Sequence, residues 1–467
     1  MNDLIPIATF VVIAFPLSLL FSPIGEAFLV APLIALCMAI ISCPVQLIFD
    51  LGLLAAYVLV AFILTAICLL IQKTRRMMLV NSNTKISYLD LMFITIFAIF
   101  VIGFLINLPP PLAWDARSIW LFHASWLTGG AETFSYAQDL SALSFSHPGY
   151  PLGGAAAIAI VWLISGSTEN LPLGVTLIAL ITLTNSILIV RILMFSFSKK
   201  AQLVTSFPFS LILVSLIFLS EKAQALTGYM DVLLASLIGV ATAALLSVIC
   251  LITRSNTGND RNRFLWLSVL AIFAAVSIKQ EGIFFSLVLI FTFSLVCFQD
   301  RLRTGFLILS AAASYVLWSL AIWLSGGSKE SDASGIVTNL PELLNRDSIA
   351  WSNFSVIWNG YFKNYVVFPN FLFLVAMLAL LTHHSWKRYM KVAIFASIVW
   401  IGNWVVIFTP YMFGQTRSDL NWWLDTSFSR IVATPIVFVI IFCGFVLVNS
   451  FNGLLRHEDS CAKPMET

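Results

Sequence analysis

The sequence predicts an all-α polytopic membrane protein, a bundle of about 13 transmembrane helices with further interface helices at its outer face. Composition is the first observation. Of the residues, 60% are hydrophobic and only 10% charged, and the mean hydropathy is +0.97; a water-soluble domain carries about 25% charged residues. The second is the recurrence of long apolar runs. About 20 apolar residues cross the roughly 30 Å hydrocarbon core as a helix, and within lipid the backbone has to satisfy its own hydrogen bonds. The runs are continuously apolar rather than alternating, which excludes a transmembrane β-barrel. The third is the segregation of Lys and Arg into alternate loops.

In chain order the expected spans are residues 5–22, 26–47, 49–72, 90–109, 171–194, 205–220, 230–252, 264–278, 283–299, 304–324, 365–382, 391–409 and 431–451. Pro16, Pro23, Pro32 and Pro44 interrupt or bound the first three. Residues 1–80 read as an N-terminal group of additional helices, 90–451 as the main body and 452–467 as a tail. Met1-Asn2-Asp3 lacks a basic leader region, so the first run is expected to stay as a helix rather than be cleaved as a signal.

Orientation follows from the basic residues. Lys73, Arg75 and Arg76, then Lys199 and Lys200, Arg254, Arg261 and Arg263, Arg301 and Arg303, Lys387, Arg388 and Lys391, and finally Arg456 and His457 each follow an odd-numbered span. They therefore share one side, which the positive-inside rule makes cytoplasmic. Residues 110–170 then lie wholly outside. A crossing by the apolar stretch 152–165 would carry Lys199 and Lys200 outside, so that stretch is expected to lie in, or dip into, the outer interface. A second outer loop, 326–363, is partly amphipathic (Trp351, Phe354, Trp358, Tyr361, Phe362) and is also expected on the membrane surface.

The other global properties bound function more loosely. A net charge of +3 gives no reason to expect a nucleic-acid partner. Of the seven cysteines, six lie in or beside apolar runs and Cys461 is in the tail, so no disulfide is expected. No zinc-ligand spacing, Ser-His-Asp order or phosphate-cradling glycine loop is present. Glu132, Asp139 and His147 are metal-ligating residue types without a ligand pattern, and no cofactor is implied. Asn353-Phe354-Ser355 is a glycosylation sequon.

The outer face collects the unusual residues. Trp114-Asp115-Ala116-Arg117 follows the fourth span, and His147-Pro148-Gly149-Tyr150-Pro151 comes later in the same loop. Gly228-Tyr229-Met230-Asp231 opens the seventh span, Lys279-Gln280-Glu281-Gly282 joins the eighth and ninth, and Arg417, Asp419, Asp425 and Arg430 precede the last. Ionisable groups in apolar membrane sequence are costly and point to a site. Each also has a plainer reading. Asp115 suits a helix end, Asp231 an N-cap, Lys279 and Glu281 a solvated hairpin, His147 a turn, Arg430 an interface anchor, and Trp422 and Trp423 an aromatic belt. Their shared face argues for the site.

Taken in order, Trp114-Asp115-Ala116 with Trp120, His147-Pro148-x-Tyr150-Pro151, Tyr229-x-Asp231, Lys279-x-Glu281-Gly282 and Trp422-x-Leu424-x-Thr426-Ser427-x-x-Arg430 resemble bacterial membrane glycosyltransferases of the GT-C superfamily. The chain is similar there to protein mannosyltransferases and aminoarabinose transferases over residues 90–450. The resemblance implies a multi-pass protein of the bacterial inner membrane with an outward-facing active site. It implies a polyprenyl-phosphate sugar as donor and a glycan, lipid or protein as acceptor. Asp115 takes the position of the catalytic carboxylate. His123 stands where a lysine is expected, Gly149 where related sequences often have Asp, and Trp423 where they often have His.

The residues themselves fit that chemistry. An unpaired Asp115 suits a general base. Arg430, Lys279 and His147 suit binding of phosphate charge. Trp120, Tyr150 and Tyr229 suit stacking on sugar or lipid, and Arg117, Asp231 and Glu281 suit substrate positioning. A transporter or lipid flippase is the alternative from another class, and a catalytically inactive membrane scaffold a third.

Overall fold

A computed structural model describes residues 4–22, 24–75, 115–139, 146–168, 170–195, 228–253, 258–327, 348–382, 386–413 and 417–461. The expected spans 90–109 and 205–220 lie outside these residues, as do Trp114, Lys199 and Lys200. Among the described residues the secondary structure is helical throughout, with no strand. The helices are α1 (Leu4–Phe21), α2 (Ile24–Phe49), α3 (Leu53–Arg75), α4 (Leu121–Thr128), α5 (Gly130–Asp139), α6 (Gly153–Ser165), α7 (Leu171–Met194) and α8 (Met230–Thr253). They continue as α9 (Gly258–Val276), α10 (Glu281–Val296), α11 (Arg301–Leu324), α12 (Ile349–Val356), α13 (Lys363–Thr382), α14 (Trp386–Phe413), α15 (Arg417–Trp423) and α16 (Ala433–Cys461), with a single α-helical turn at Ser429–Ile431 before the last. Three short π-helical segments, Ala116–Trp120, Ile357–Phe362 and Leu424–Phe428, join some of them.

Seven of these helices are long and apolar enough to cross a membrane: α2, α3, α7, α8, α11, α14 and α16. Each expected span within the described residues overlaps a helix, with bounds that differ by several residues in places. The proline expectation fails for α1 and α2, which continue through Pro16, Pro32 and Pro44. Pro32 and Pro44 are buried among neighbouring helices, a setting where a proline in an apolar helix is tolerated, whereas Pro16 is exposed. The last helix also runs past residue 451, as far as Cys461.

The bundle is organised from its centre outwards. Of the apolar stretches of α7 and α8, 94% is buried, against 28% for α3 and 33% for α11. Helix α8 packs on α7, α9, α10, α14 and α16, so it is the axis of the body. Outward faces instead display Phe62, Leu302, Leu309 and Trp323 to the surroundings, a surface suited to hydrocarbon and not to water. Apolar helices gain little from associating within hydrocarbon, so specific contacts have to hold them. Asn185 Nδ2 donates to Ser236 Oγ at 3.0 Å between α7 and α8, and Ser310 and Ser314 of α11 donate to the Val269 and Phe273 carbonyls of α9, each at 2.6 Å.

Packing places three further segments. Helix α6, expected to lie in or dip into the outer interface, packs within the bundle. Ten of its 13 residues are buried, against α1, α2, α3, α4, α7 and the α9–α10 turn. At 1.5 Å per residue it is about 20 Å long, short of a full crossing. The N-terminal helices, expected as an addition to the main body, pack closely on it: α2 packs on α6, α7, α9 and α11. Asn353 of the sequon is fully buried in α12 and donates to the Tyr411 and Met412 carbonyls of α14, so it is not an accessible glycosylation site. The six described cysteines with placed side chains are free thiols.

Candidate functional site

Five stretches of the chain, most of them at helix ends, converge on one cavity of about 550 Å³. Local geometry explains how each side chain arrives. Gly228 adopts φ +85°, a conformation that disfavours other residues, and a Cβ there would strike Ala116. The chain thus passes close to the π-helical turn after Asp115 and sets Tyr229 beside it. The turn between α9 and α10 is equally tight: a Cβ on Gly282 would collide with the Ala275 carbonyl, and Gly282 N–H donates to the Lys279 carbonyl at 3.0 Å. This closeness folds Lys279 inward, where it is 8% exposed. The solvated-hairpin reading of Lys279 is therefore wrong.

The charged side chains form a chain of alternating sign. Arg430 Nη1 pairs with Asp115 and lies 3.8 Å from Asp231 Oδ2. Lys279 Nζ lies 2.7 Å from Asp231 Oδ1 and 3.6 Å from Glu281 Oε1. The Arg430 guanidinium also stacks over the Tyr229 ring at 4.2 Å, and its Nε is buried with no hydrogen-bond partner among the described residues. Burial alone would lower the pKa of Lys279, but Asp231 and Glu281 outweigh it and hold the ammonium well above the usual lysine value. Burial likewise opposes the charge on Arg430, and Asp231 and Asp115 reverse that effect. Burial raises the pKa of the Tyr229 hydroxyl, which stays a neutral donor.

Aromatic rings make the remaining wall. His147 stacks on Tyr150 at 4.7 Å and Tyr150 meets Trp120 at 6.0 Å. His147 takes φ +52°, unusual for a residue with a side chain. Across the cavity, Trp422 and Trp423 pack edge to face, and the Tyr411 hydroxyl donates to Ser427 Oγ at 3.0 Å. Two of the three π-helical segments border this site, one just after Asp115 and one just before Arg430. Such segments widen a turn and re-aim the side chains that follow.

Of the residues singled out from sequence, Asp115, Trp120, His147, Tyr150, Tyr229, Lys279, Glu281 and Arg430 line the cavity. Asp115 is not the unpaired carboxylate expected, since Arg430 holds it. Asp231 is 5% exposed and sits behind the two cations rather than in the wall; it lies in the first turn of α8, with its carboxylate bound to Lys279. Arg117 is exposed and off the wall. His123 is fully buried in α4 against Trp126, and burial lowers its pKa to about 3, so it brings no positive charge to the cavity. Gly149 is buried outside the wall, whereas Trp423 lies in it. Sequence reasoning missed Pro410 and Tyr411, which also line the cavity. Their only signal was a proline-tyrosine pair closing an apolar run. Among the described residues no three His, Cys, Asp or Glu side chains gather as metal ligands.

No family model matches the chain, and neither does any curated protein or solved structure.

Proposed function

We propose that the protein is a multi-pass membrane glycosyltransferase that moves a sugar from a polyprenyl-phosphate donor to an acceptor hydroxyl, at the outer face of a bacterial inner membrane. The observation that carries this reading is the cavity itself. Five segments distant in sequence bring carboxylates, paired cations and aromatic rings to one end of an apolar bundle. A lipid-phosphate sugar needs each of these: apolar surroundings for its tail, cations for its phosphate, and rings on which a sugar stacks.

In the proposed step the acceptor oxygen attacks the anomeric carbon and its proton passes to Asp115. The bond from that carbon to the phosphate oxygen breaks, and the electron pair leaves on the phosphate, whose charge Arg430 and Lys279 stabilise. Attack from the face opposite the leaving group inverts the anomeric configuration. The transporter or flippase reading would place ionisable groups near the bilayer midplane on broken helices. Here Asp231 opens α8, Lys279 joins α9 to α10, and Arg430 precedes α16, all at helix ends, which favours transfer.

The test is an assay of purified protein in detergent with a panel of polyprenyl-phosphate sugars and Arg430→Ala as control. Sugar release or transfer is expected from the native protein and not from the variant. A folded protein that releases nothing from any donor would sink the proposal and favour transport or an inactive scaffold.

A further inference from the structure

Arg430 is held by two carboxylates, and they are not alike. Asp231 is 5% exposed, forms no part of the cavity wall and is bound to Lys279 at 2.7 Å. Asp115 is in the wall, and its side chain is 21% exposed. The guanidinium is fixed from below by Tyr229 and from behind by Asp231, and Asp115 closes it on the side of the cavity. Lys279 is likewise engaged by Asp231 and Glu281. So each cation of the wall already has a carboxylate partner, and an anion that enters competes with one.

A carboxylate and a phosphate offer a guanidinium the same pair of oxygens, which is why arginine binds both in a fork. Asp231 cannot yield, because leaving would strand a buried charge beside Lys279. Asp115 can, because it faces the cavity. We propose that Asp115 is a placeholder on Arg430: an incoming substrate phosphate exchanges with it, and only that exchange frees the Asp115 carboxylate to accept a proton. This inference rests on the transferase reading and deepens it. While Arg430 holds Asp115 Oδ2, that oxygen is turned to the guanidinium and not to an acceptor hydroxyl, so the donor-free site does not activate an acceptor. Donor binding therefore precedes acceptor deprotonation. Asp231 is the positioning residue that keeps Arg430 in place through the exchange.

The experiment measures binding of two probes, inorganic phosphate and a short-chain prenyl monophosphate, to the full protein in detergent by titration calorimetry, with the corresponding prenyl alcohol as a phosphate-free control. Asp115→Asn and Asp115→Ser remove the competitor. Both are expected to bind the prenyl phosphate roughly tenfold more tightly than the native protein, the size of one charge-assisted contact. Asp115→Glu keeps a competitor and is expected to bind like the native protein, and Arg430→Ala to lose phosphate-dependent binding. A residue that served only as a base would leave the affinity unchanged. Unchanged or weaker binding by both Asp115→Asn and Asp115→Ser, with native binding intact and thermal melts preserved, overturns the exchange and leaves the transferase reading standing. If native protein and variants alike bind the phosphate no better than the alcohol, the phosphate site and the transferase reading fall together.

Discussion

Two ionic clusters sit at opposite ends of α9, and they differ in what surrounds them. At one end Glu26 of α2 takes Arg191 Nε of α7 at 3.1 Å and Arg263 Nη2 of α9 at 3.6 Å, and Arg263 stacks on Phe195 and Phe264. At the other end, roughly 24 Å away along the helix, Asp115, Asp231, Glu281, Lys279 and Arg430 surround a cavity. The first cluster ties three helices together, and its charges meet one another and aromatic rings. The second has the same chemistry but opens part of itself to a space large enough for a ligand. Ion pairing alone therefore does not identify a site; the cavity beside the second cluster is the further observation that points to one.

The largest expected effect lies in the open cluster. Asp115→Asn should lower turnover by roughly 10²- to 10⁴-fold, the usual share of a general base, while the protein stays folded. Near-normal transfer by this variant would remove Asp115 from the chemistry and make Glu281 the next carboxylate to test. Arg430→Ala should cost roughly 10²- to 10³-fold in turnover and weaken donor binding too, so rate and affinity need to be measured separately. An effect on rate alone would argue that Arg430 does not hold the donor in the ground state.

Asp231→Asn distinguishes the buried carboxylate from the exposed one. It leaves Lys279 and Arg430 facing each other with less compensation, and about 3–5 kcal/mol of stability should be lost, together with donor affinity. Thermal melts and donor titration check this, and a variant as stable as the native protein would show that Asp231 is not the anchor. In the closed cluster, Glu26→Gln should cost only about 2 kcal/mol, because both arginines keep some solvent contact. It should leave turnover per folded molecule unchanged. A large loss of turnover would mean that the two ends of α9 are coupled.

The smallest effect concerns His123. Its folded pKa is near 3 and its ordinary value 6.5, with burial as the chief cause. Between those values the unfolded chain binds the proton and the folded one does not, so stability falls as pH drops through that window and is unaffected above it. The loss should reach about 1.4 kcal/mol near pH 5.5. Melting of native protein and His123→Phe from neutral pH down to about 5.5 checks the sign; equal slopes would show that His123 does not titrate this way.

Much of this was legible in the chain. The run 171–194 coincides with α7 to the residue, and 230–252 differs from α8 by one residue at its C-terminal end. These helices have to satisfy their backbone within their own segment, so their existence is a local property. The clustering of unusual residues at 115, 147, 229, 279 and 430 was also visible as a pattern of span ends. The role of 152–165 was not. Its apolarity reads equally as an interface helix or a packed one, and the choice depends on α1, α2, α7 and the α9–α10 turn, which no local pattern reveals.

The sequence by itself determined that the chain forms long apolar helices, roughly where the described ones lie, and which charged residues fall near their ends. Hydrophobic length and backbone hydrogen bonding act within one segment, so a segment's own residues are enough to read them. Only the tertiary structure decided that Asp115 meets Arg430 across 315 positions of chain, that Asp231 lies behind the two cations while Arg117 points elsewhere, and that Glu26 closes the opposite end. A charge pair depends on distances of a few ångströms between segments, and the packing of helices that sets those distances is a property of the whole bundle.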